Sequence, residues 1–445
     1  LIPLPTPAAA ALLRTWTAKA RWPRLAGYVL LATALHGALI TLIFQRRDLS
    51  GLDRFVFVYL VAHLALDAVR LLVGLVILLR RGTPRLANPR EGEWPALTVV
   101  IPCHNEAEVI GATIRSLQAV DYPDLRLIVV DDGSSDGTAA IAAACQPPVR
   151  VLRQRAGGKA AALNAGLAEV RTPLTLLVDA DYLFPRQGLR DAVRHLLGEN
   201  EDALGGHLAV LNQDTWITRL QHLEYGDMAL RHFLWRFELN LSRTQDVIPG
   251  ALGLFRTDAL RAAGPLSTTH LAEDVALTAR LVEQGRSLAF SPYLQAATVV
   301  PDTVAALRIQ RRRWVRGYAQ VAFEQLGRLG RIYGQARMAA LAMALKTVRW
   351  PLEFALSLVY CLHAWSQGQP SVLLLSLLAM LFPFSWSGLS RFLRSDGPTL
   401  LLFTYGYGLL LLGWRVWDQL TLLTTRAPRW EPYRRRQAHT VNHPT

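Results

Sequence analysis

The residues most capable of chemistry in this chain are acids that recur at the ends of apolar runs. Val178-Asp179-Ala180-Asp181 places two carboxylates around one small residue. Such a pair suits a hard ion, Mg2+ or Mn2+, which takes oxygen ligands and keeps water and phosphate in its shell. Asp131-Asp132-Gly133-Ser134-Ser135-Asp136-Gly137 couples carboxylates, able to accept hydrogen bonds from a ribose or uracil, to glycines that permit a tight turn. An acidic turn capping the next helix accounts for it equally well. Leu271-Ala272-Glu273-Asp274 opens a helical pattern with two acids in its first turn. Helix capping explains them; the chemical reading makes Asp274, with Glu273 beside it, a general base for an attacking hydroxyl.

Other segments add donors and shape. Pro102-Cys103-His104-Asn105-Glu106 leaves an apolar run as a polar loop suited to a base and ribose, and Gly157-Gly158-Lys159 opens an alanine-rich helix where a diphosphate can sit against the helix N-terminus and a cation. A plain glycine turn is the rival, and the spacing is not that of a P-loop. Gly250, in Val247-Ile248-Pro249-Gly250-Ala251, reads as part of a small-residue wall beside an acceptor. Gln310-Arg311-Arg312-Arg313-Trp314 mixes phosphate-pairing cations with an aromatic platform for a sugar ring; a basic helix at a membrane surface gives the same pattern.

The elements that must position these residues are legible as alternating runs. Leu97–Ile101, Leu125–Val130, Val149–Leu152 and Leu174–Val178 read as strands, separated by helical patterns at Val109–Val120 and Gly158–Val170. The alternation predicts βαβ units and a mainly parallel sheet, whose ligands bind at the carboxyl ends of its strands.

Around this polar stretch the chain is apolar and basic: 445 residues, 51% hydrophobic, 48 Lys and Arg against 34 Asp and Glu, and a formal charge of +14. That balance suits an anionic bilayer face and phosphate-bearing substrates; nucleic acid is not expected, since no reading module accompanies the charge. Three cysteines, Cys103, Cys145 and Cys361, are too scattered for a disulfide framework or thiolate metal site. Leu25–Phe44 lacks charge and is long enough to span ~30 Å of hydrocarbon. Phe55–Leu79 reads as a second span, its Asp67 and Arg70 as a structural pair. Arg80, Arg81, Arg85 and Arg90 then place the polar stretch in the cytoplasm. Further candidate spans lie at Met338–Leu362, Val372–Trp386 and Leu400–Leu412, two or three crossings in all, followed by a basic tail from Arg426 to Arg436. No small-residue cleavage site follows Leu1, so the N-terminal end reads as mature.

Taken in order from about Leu97 to Gly317, these motifs resemble the inverting family-2 glycosyltransferases of GT-A fold, especially the processive cellulose, chitin, hyaluronan and poly-N-acetylglucosamine synthases. The resemblance implies an α/β, GT-A-type (Rossmann-like) mixed-sheet catalytic domain flanked by transmembrane helices. It implies a membrane region over 1–90, a cytoplasmic transferase domain with interface helices over 91–335, a second membrane region over 336–425 and a basic tail over 426–445. Nucleotide contacts would fall to Pro102, His104, Asn105, Glu106, Asp132, Lys159 and Asp179, with Asp181 and Asp179 holding the metal. Asp274 matches the family base, with Glu273 adjoining. Gly250, Gln310, Arg313 and Trp314 would shape and gate the acceptor channel, the last three matching a Gln-x-x-Arg-Trp signature. The implied reaction moves a hexose or N-acetylhexosamine from a UDP-sugar to a growing polysaccharide, with inversion, at a bacterial-type inner membrane; a single-sugar transfer to a lipid acceptor is the alternative. A turnover-free binding or transport protein is the more distant one. Membrane lipids and an accessory subunit or homo-oligomer are the expected partners, and no cyclic-dinucleotide-binding barrel is expected after the last apolar segment.

Overall fold

A computed structural model describes residues 84–239, 247–368, 410–419 and 421. The apolar segments Leu25–Phe44, Phe55–Leu79 and Val372–Trp386, nearly all of Leu400–Leu412 and the basic tail lie outside the described residues.

The strands are β1 (Leu97–Cys103), β2 (Leu125–Asp132), β3 (Arg150–Gln154), β4 (Leu174–Val178), β5 (Ala203–Val210), β6 (Leu252–Arg256) and β7 (Leu288–Thr298). Helix α1 (Ile110–Gln118) follows β1, α2 (Thr138–Ala144) follows β2, α3 (Lys159–Glu169) follows β3 and α4 (Leu189–Gly198) follows β4. Then come α5 (Trp216–Leu239), α6 (Thr257–Ala262), α7 (Glu273–Glu283), α8 (Val304–Gly327) and α9 (Gly334–Ser366).

One sheet of seven strands runs β3-β2-β1-β4-β6-β5-β7. Strands β3, β2, β1 and β4 are mutually parallel, whereas β6 is antiparallel to both β4 and β5. The sheet is mainly parallel, as expected, and β6 running against its neighbours makes it the mixed sheet that the family resemblance implies. The second half escapes the βαβ pattern because β6 enters between β4 and β5, out of chain order, a pairing that local periodicity does not encode.

Strands β1 and β4 read as nearly continuous apolar runs because both sheet faces are covered. Val99, Ile101, Val129, Leu176 and Val178 pack with Ile114 and Leu117 of α1 and Val193 and Leu196 of α4. On the other face, Val100, Val130 and Leu177 meet Leu163 of α3 and Leu277 and Leu281 of α7. Strand order reverses at β1, since β2 and β3 build outward on one side and β4 on the other. In open α/β sheets, a crevice forms outside the carboxyl ends at such a reversal. The exits of β1 and β4 therefore define where ligand chemistry can occur.

Among the described residues no helix is long and apolar enough to cross a membrane. The expected span Met338–Leu362 falls within α9, where Lys346, Arg349 and Glu353 dilute the apolar run. The helix does expose a stripe of Met338, Leu345, Val348, Leu352, Val359 and Leu362, at spacings of three, four and seven residues that define one face.

Asp418 lies in the helical segment 410–419 and is 0% exposed. Arg308 of α8 grips it with both guanidinium amines, one at 2.7 Å, and stacks over Trp414 at 5.3 Å. Arg316 Nε stands 3.9 Å from the same carboxylate. Removing one partner strands buried charge, which costs about 3–5 kcal/mol. Asp418→Ala is accordingly expected to lower the thermal midpoint of the full chain by several degrees in calorimetry, more than Asp418→Asn does.

Candidate active site

The strand exits carry the acids, and the loops between them are tied together by hydrogen bonds. After β1, Asn105 adopts φ 56° and its backbone N–H donates to Ser134 Oγ at 2.9 Å. Asn105 Oδ1 accepts from Ser135 N at 2.8 Å, Glu106 N donates to Thr138 Oγ1 at 2.8 Å, and Ala107 N donates to Asp136 Oδ2 at 3.2 Å. Asp136 also accepts from Thr138 N at 2.9 Å, so it caps the first turn of α2. His104 Nδ1 lies 2.7 Å from the Asp132 carbonyl; because a carbonyl only accepts, Nδ1 carries the proton and Nε2 receives the Asn105 amide at 3.1 Å. Pro102 is buried within β1 opposite Val130, so the polar loop proper starts at His104. Cys103 is buried too. Burial first and Asp131 second push its thiol up to about 12, which rules out thiolate chemistry near neutral pH.

Asp132 is buried, and its oxygens are engaged by the glycine loop rather than presented to solvent. Oδ1 accepts from Gly157 N at 2.8 Å and Gln154 Nε2 at 2.7 Å, while Oδ2 accepts from Gly158 N at 2.7 Å. The carboxylate anchors the turn that delivers Lys159 to the start of α3.

Lys159 in turn sits between two acids that are distant in sequence. Its Nζ lies 2.6 Å from Asp179 Oδ1 and 3.4 Å from Glu273 Oε1. Burial works against its charge, but Asp179 and then Glu273 outweigh it and hold the ammonium above its usual range. The exit of β4 is fixed from the other side by Asp179 N donating to Ala251 O at 3.3 Å, which brings the segment before β6 alongside. Two residues on, Asp181 is buried and accepts from Thr298 Oγ1 at 2.6 Å.

Asp274 occupies the first turn of α7. Gly250 N donates to its Oδ2 at 3.1 Å and Val275 N to its Oδ1 at 2.9 Å. A Cβ on Gly250 would stand 2.9 Å from Asp274 Cβ, so this glycine serves close approach to the acid. Burial, and then the neighbouring Glu273 carboxylate, raise the Asp274 pKa, against the pull of the Gly250 amide, Lys159 and Arg313. A carboxylate raised in this way is a better proton acceptor near neutral pH than a free one.

Helix α8 carries the remaining expected residues. Arg313 lies close enough to act electrostatically on both Asp274 and Lys159. Among the described residues Gln310 Oε1 is buried without a hydrogen-bond partner. Trp314 packs beside Val210, Tyr225 and Val300, and Arg311 stacks on its ring at 4.2 Å while pairing with Glu224 at 2.7 Å. The helix is thus not a simple solvated basic face, since Arg311 and Arg316 are buried.

Lys159, Asp179, Glu273, Asp274 and Gly250 form one contiguous group, to which Asp132 connects through the glycine loop. His104, Asn105 and Glu106 tie the loop after β1 to the loop after β2. Among the described residues no three His, Cys, Asp or Glu side chains converge as a metal cage. Thr298, Glu224 and Asp418 are positioning partners that sequence reading missed. Only the buried charge of Asp418 within an apolar run could have signalled one of them.

The profile described as "Glycosyltransferase like family 2" matches residues 95–317. Poly-beta-1,6-N-acetyl-D-glucosamine synthase of Staphylococcus aureus (strain COL) is 27% identical over 233 residues, 52% of this chain and 56% of that protein. The Staphylococcus epidermidis enzyme of the same name is 26% identical over 248 residues, 53% and 58% respectively. The matched region thus spans little more than half the length of these curated relatives. A mannosyltransferase from Pyrobaculum calidifontis, solved in complex with GDP-Man and Mn2+, superposes with TM-score 0.51 at 21% identity, covering 84% of this chain and 99% of that one, a likeness of fold.

Proposed function

The chain belongs to glycosyltransferase-like family 2, and from that premise we propose that it transfers a hexose or N-acetylhexosamine from a UDP-sugar to a growing glycan by single displacement with inversion. The observation that carries this reading is the meeting of Lys159, Asp179, Glu273 and Asp274 at one sheet edge. The acceptor hydroxyl oxygen attacks the anomeric carbon, Asp274 takes the hydroxyl proton, and the bond from anomeric carbon to diphosphate oxygen breaks, releasing UDP. Lys159 and Arg313 face the charge that grows on the leaving diphosphate. The loop at His104, Asn105 and Glu106 receives the nucleoside.

A divalent ion fits Asp179 and Asp181. Asp179 already draws a cation, the Lys159 ammonium, and Thr298 orients the Asp181 carboxylate by hydrogen bond, as outer groups do for metal ligands. Mg2+ or Mn2+ needs only one or two protein carboxylates when a diphosphate completes the shell, so a larger cage is unnecessary. When bound, it would neutralise the departing diphosphate.

The poly-N-acetylglucosamine synthases among the relatives support a polymer product, and Gln310 Oε1, without a partner among the described residues, supports a hydroxyl-bearing ligand under α8. The charge-free Leu25–Phe44 segment and the exposed stripe on α9 support a seat at the bilayer, with the catalytic domain on its cytoplasmic side and the product extruded across. The domain limits proposed are 1–90, 91–335, 336–425 and 426–445.

Purified full chain in detergent or nanodiscs, given a panel of UDP-sugars and a short glycan primer, should release UDP with one sugar preferred and yield a ladder of products. Excess EDTA should stop turnover, and Mg2+ or Mn2+ should restore it. A single-sugar glycolipid would favour the lipid-acceptor alternative; no UDP release with any sugar would sink the enzymatic reading.

A further inference from the structure

The loop that leads into Glu273-Asp274 is clasped along one face of α8. Gly317 meets it first: a Cβ there would lie 2.6 Å from Ala272 Cβ and 2.8 Å from Ala272 N, so only glycine lets the two backbones approach this closely. One turn further, Gln320 brackets the loop backbone, its Oε1 accepting from Leu271 N at 3.3 Å and its Nε2 donating to Thr269 O at 3.4 Å. At the next turn His270 Nε2 donates to Glu324 Oε2 at 2.8 Å, while its Nδ1 lies 2.7 Å from Ser267 Oγ. Gly317, Gln320 and Glu324 continue the three-and-four spacing of Gln310 and Arg313, and therefore share their helix face. The same stripe holds Arg313 at one end and the base-bearing loop at the other.

We propose that Gln320, with the His270–Glu324 pair and the Gly317 contact, is a positioning device that sets Asp274 against Arg313 and Lys159 by docking residues 267–272 onto α8. It rests on the reading of Asp274 as the base. The three contacts flank the acid by two to five residues on its N-terminal side, where a shift of the loop moves the first turn of α7 directly. None of them reaches the nucleotide side of the site, which hangs on Asp132 and the glycine loop. The device therefore acts on proton abstraction and not on donor capture.

Two variants of the full chain, Gln320→Ala and Glu324→Ala, test this through two readouts. Amide hydrogen exchange of the 265–275 segment should rise in both, with the β1–β4 segments unchanged, as local opening predicts. The kcat of sugar transfer should fall about 10- to 100-fold, as expected for displacement of a catalytic group, with donor KM and UDP affinity retained. Unchanged exchange would overturn the docking. Raised exchange with unchanged kcat would overturn the positioning role, and equal losses of kcat and UDP affinity would reduce the clasp to a fold contact. If the wild type transfers no sugar, the reading of Asp274 as the base fails and the positioning role goes with it, while the exchange result still decides the docking.

Discussion

Asp274→Asn should lose sugar transfer by about 100- to 10,000-fold, the usual contribution of a positioned general base, while UDP binding measured by calorimetry stays close to wild type. The substitution is nearly isosteric. Its amide oxygen can keep the hydrogen bond from Gly250 N while the amide nitrogen gives up the one from Val275 N, so the link between the turn before β6 and the start of α7 is retained. What disappears is the group able to take a proton. Burial and the Glu273 carboxylate raise the Asp274 pKa, and a base works deprotonated, so wild-type kcat should climb as pH rises through a value above the ordinary carboxylate range of about 4. That limb reports loss of the Asp274 proton beside a second carboxylate. The residual activity of the variant should lack it. Loss of UDP binding together with transfer would assign Asp274 to the fold.

Asp132→Ala should act on the opposite side of the reaction. Three donors, from Gly157, Gly158 and Gln154, converge on that buried carboxylate. Hydrogen bonds to a charged acceptor contribute about 1.5–3 kcal/mol each, and deleting the acceptor leaves buried donors unpaired. If the glycine loop must re-order before a diphosphate can bind, a cost of about 3 kcal/mol weakens UDP about 100-fold. The expected signature is a large rise in the UDP dissociation constant with a smaller change in kcat at saturation. Unchanged UDP affinity would mean that the loop holds its shape without the acid and that Lys159 alone fixes the diphosphate. Asp132 was read from sequence as a direct nucleotide contact. In the structure its oxygens accept from Gly157 N, Gly158 N and the Gln154 side chain.

Strands β1 and β4 were legible because each is buried on both faces, so its apolar run is nearly continuous and its ends are sharp: Leu174–Val178 was read to the residue, and Leu97–Ile101 stopped two short of β1. The acids after those strands were legible for the same reason, as charge appears abruptly where burial ends. The antiparallel insertion of β6 between β4 and β5 was not, since the pairing depends on contacts between segments about 75 residues apart. The buried Arg308–Asp418–Arg316 cluster was equally invisible, being an ion group whose members are about 100 residues apart.

By itself the amino-acid sequence determined which residue types stand at each strand exit, their order, and through that order the family, because periodicity and turn chemistry act over a few neighbouring residues. Only the tertiary structure decided which acid meets which partner: Asp179 with Lys159, Asp181 with Thr298, Asp274 with Gly250, and Asp132 with a loop rather than with solvent. Those pairings arise where the sheet reverses its strand order and α7 and α8 close over the edge, and the electrostatics of a buried group depend on the few ångströms around it, which no one-dimensional spacing records.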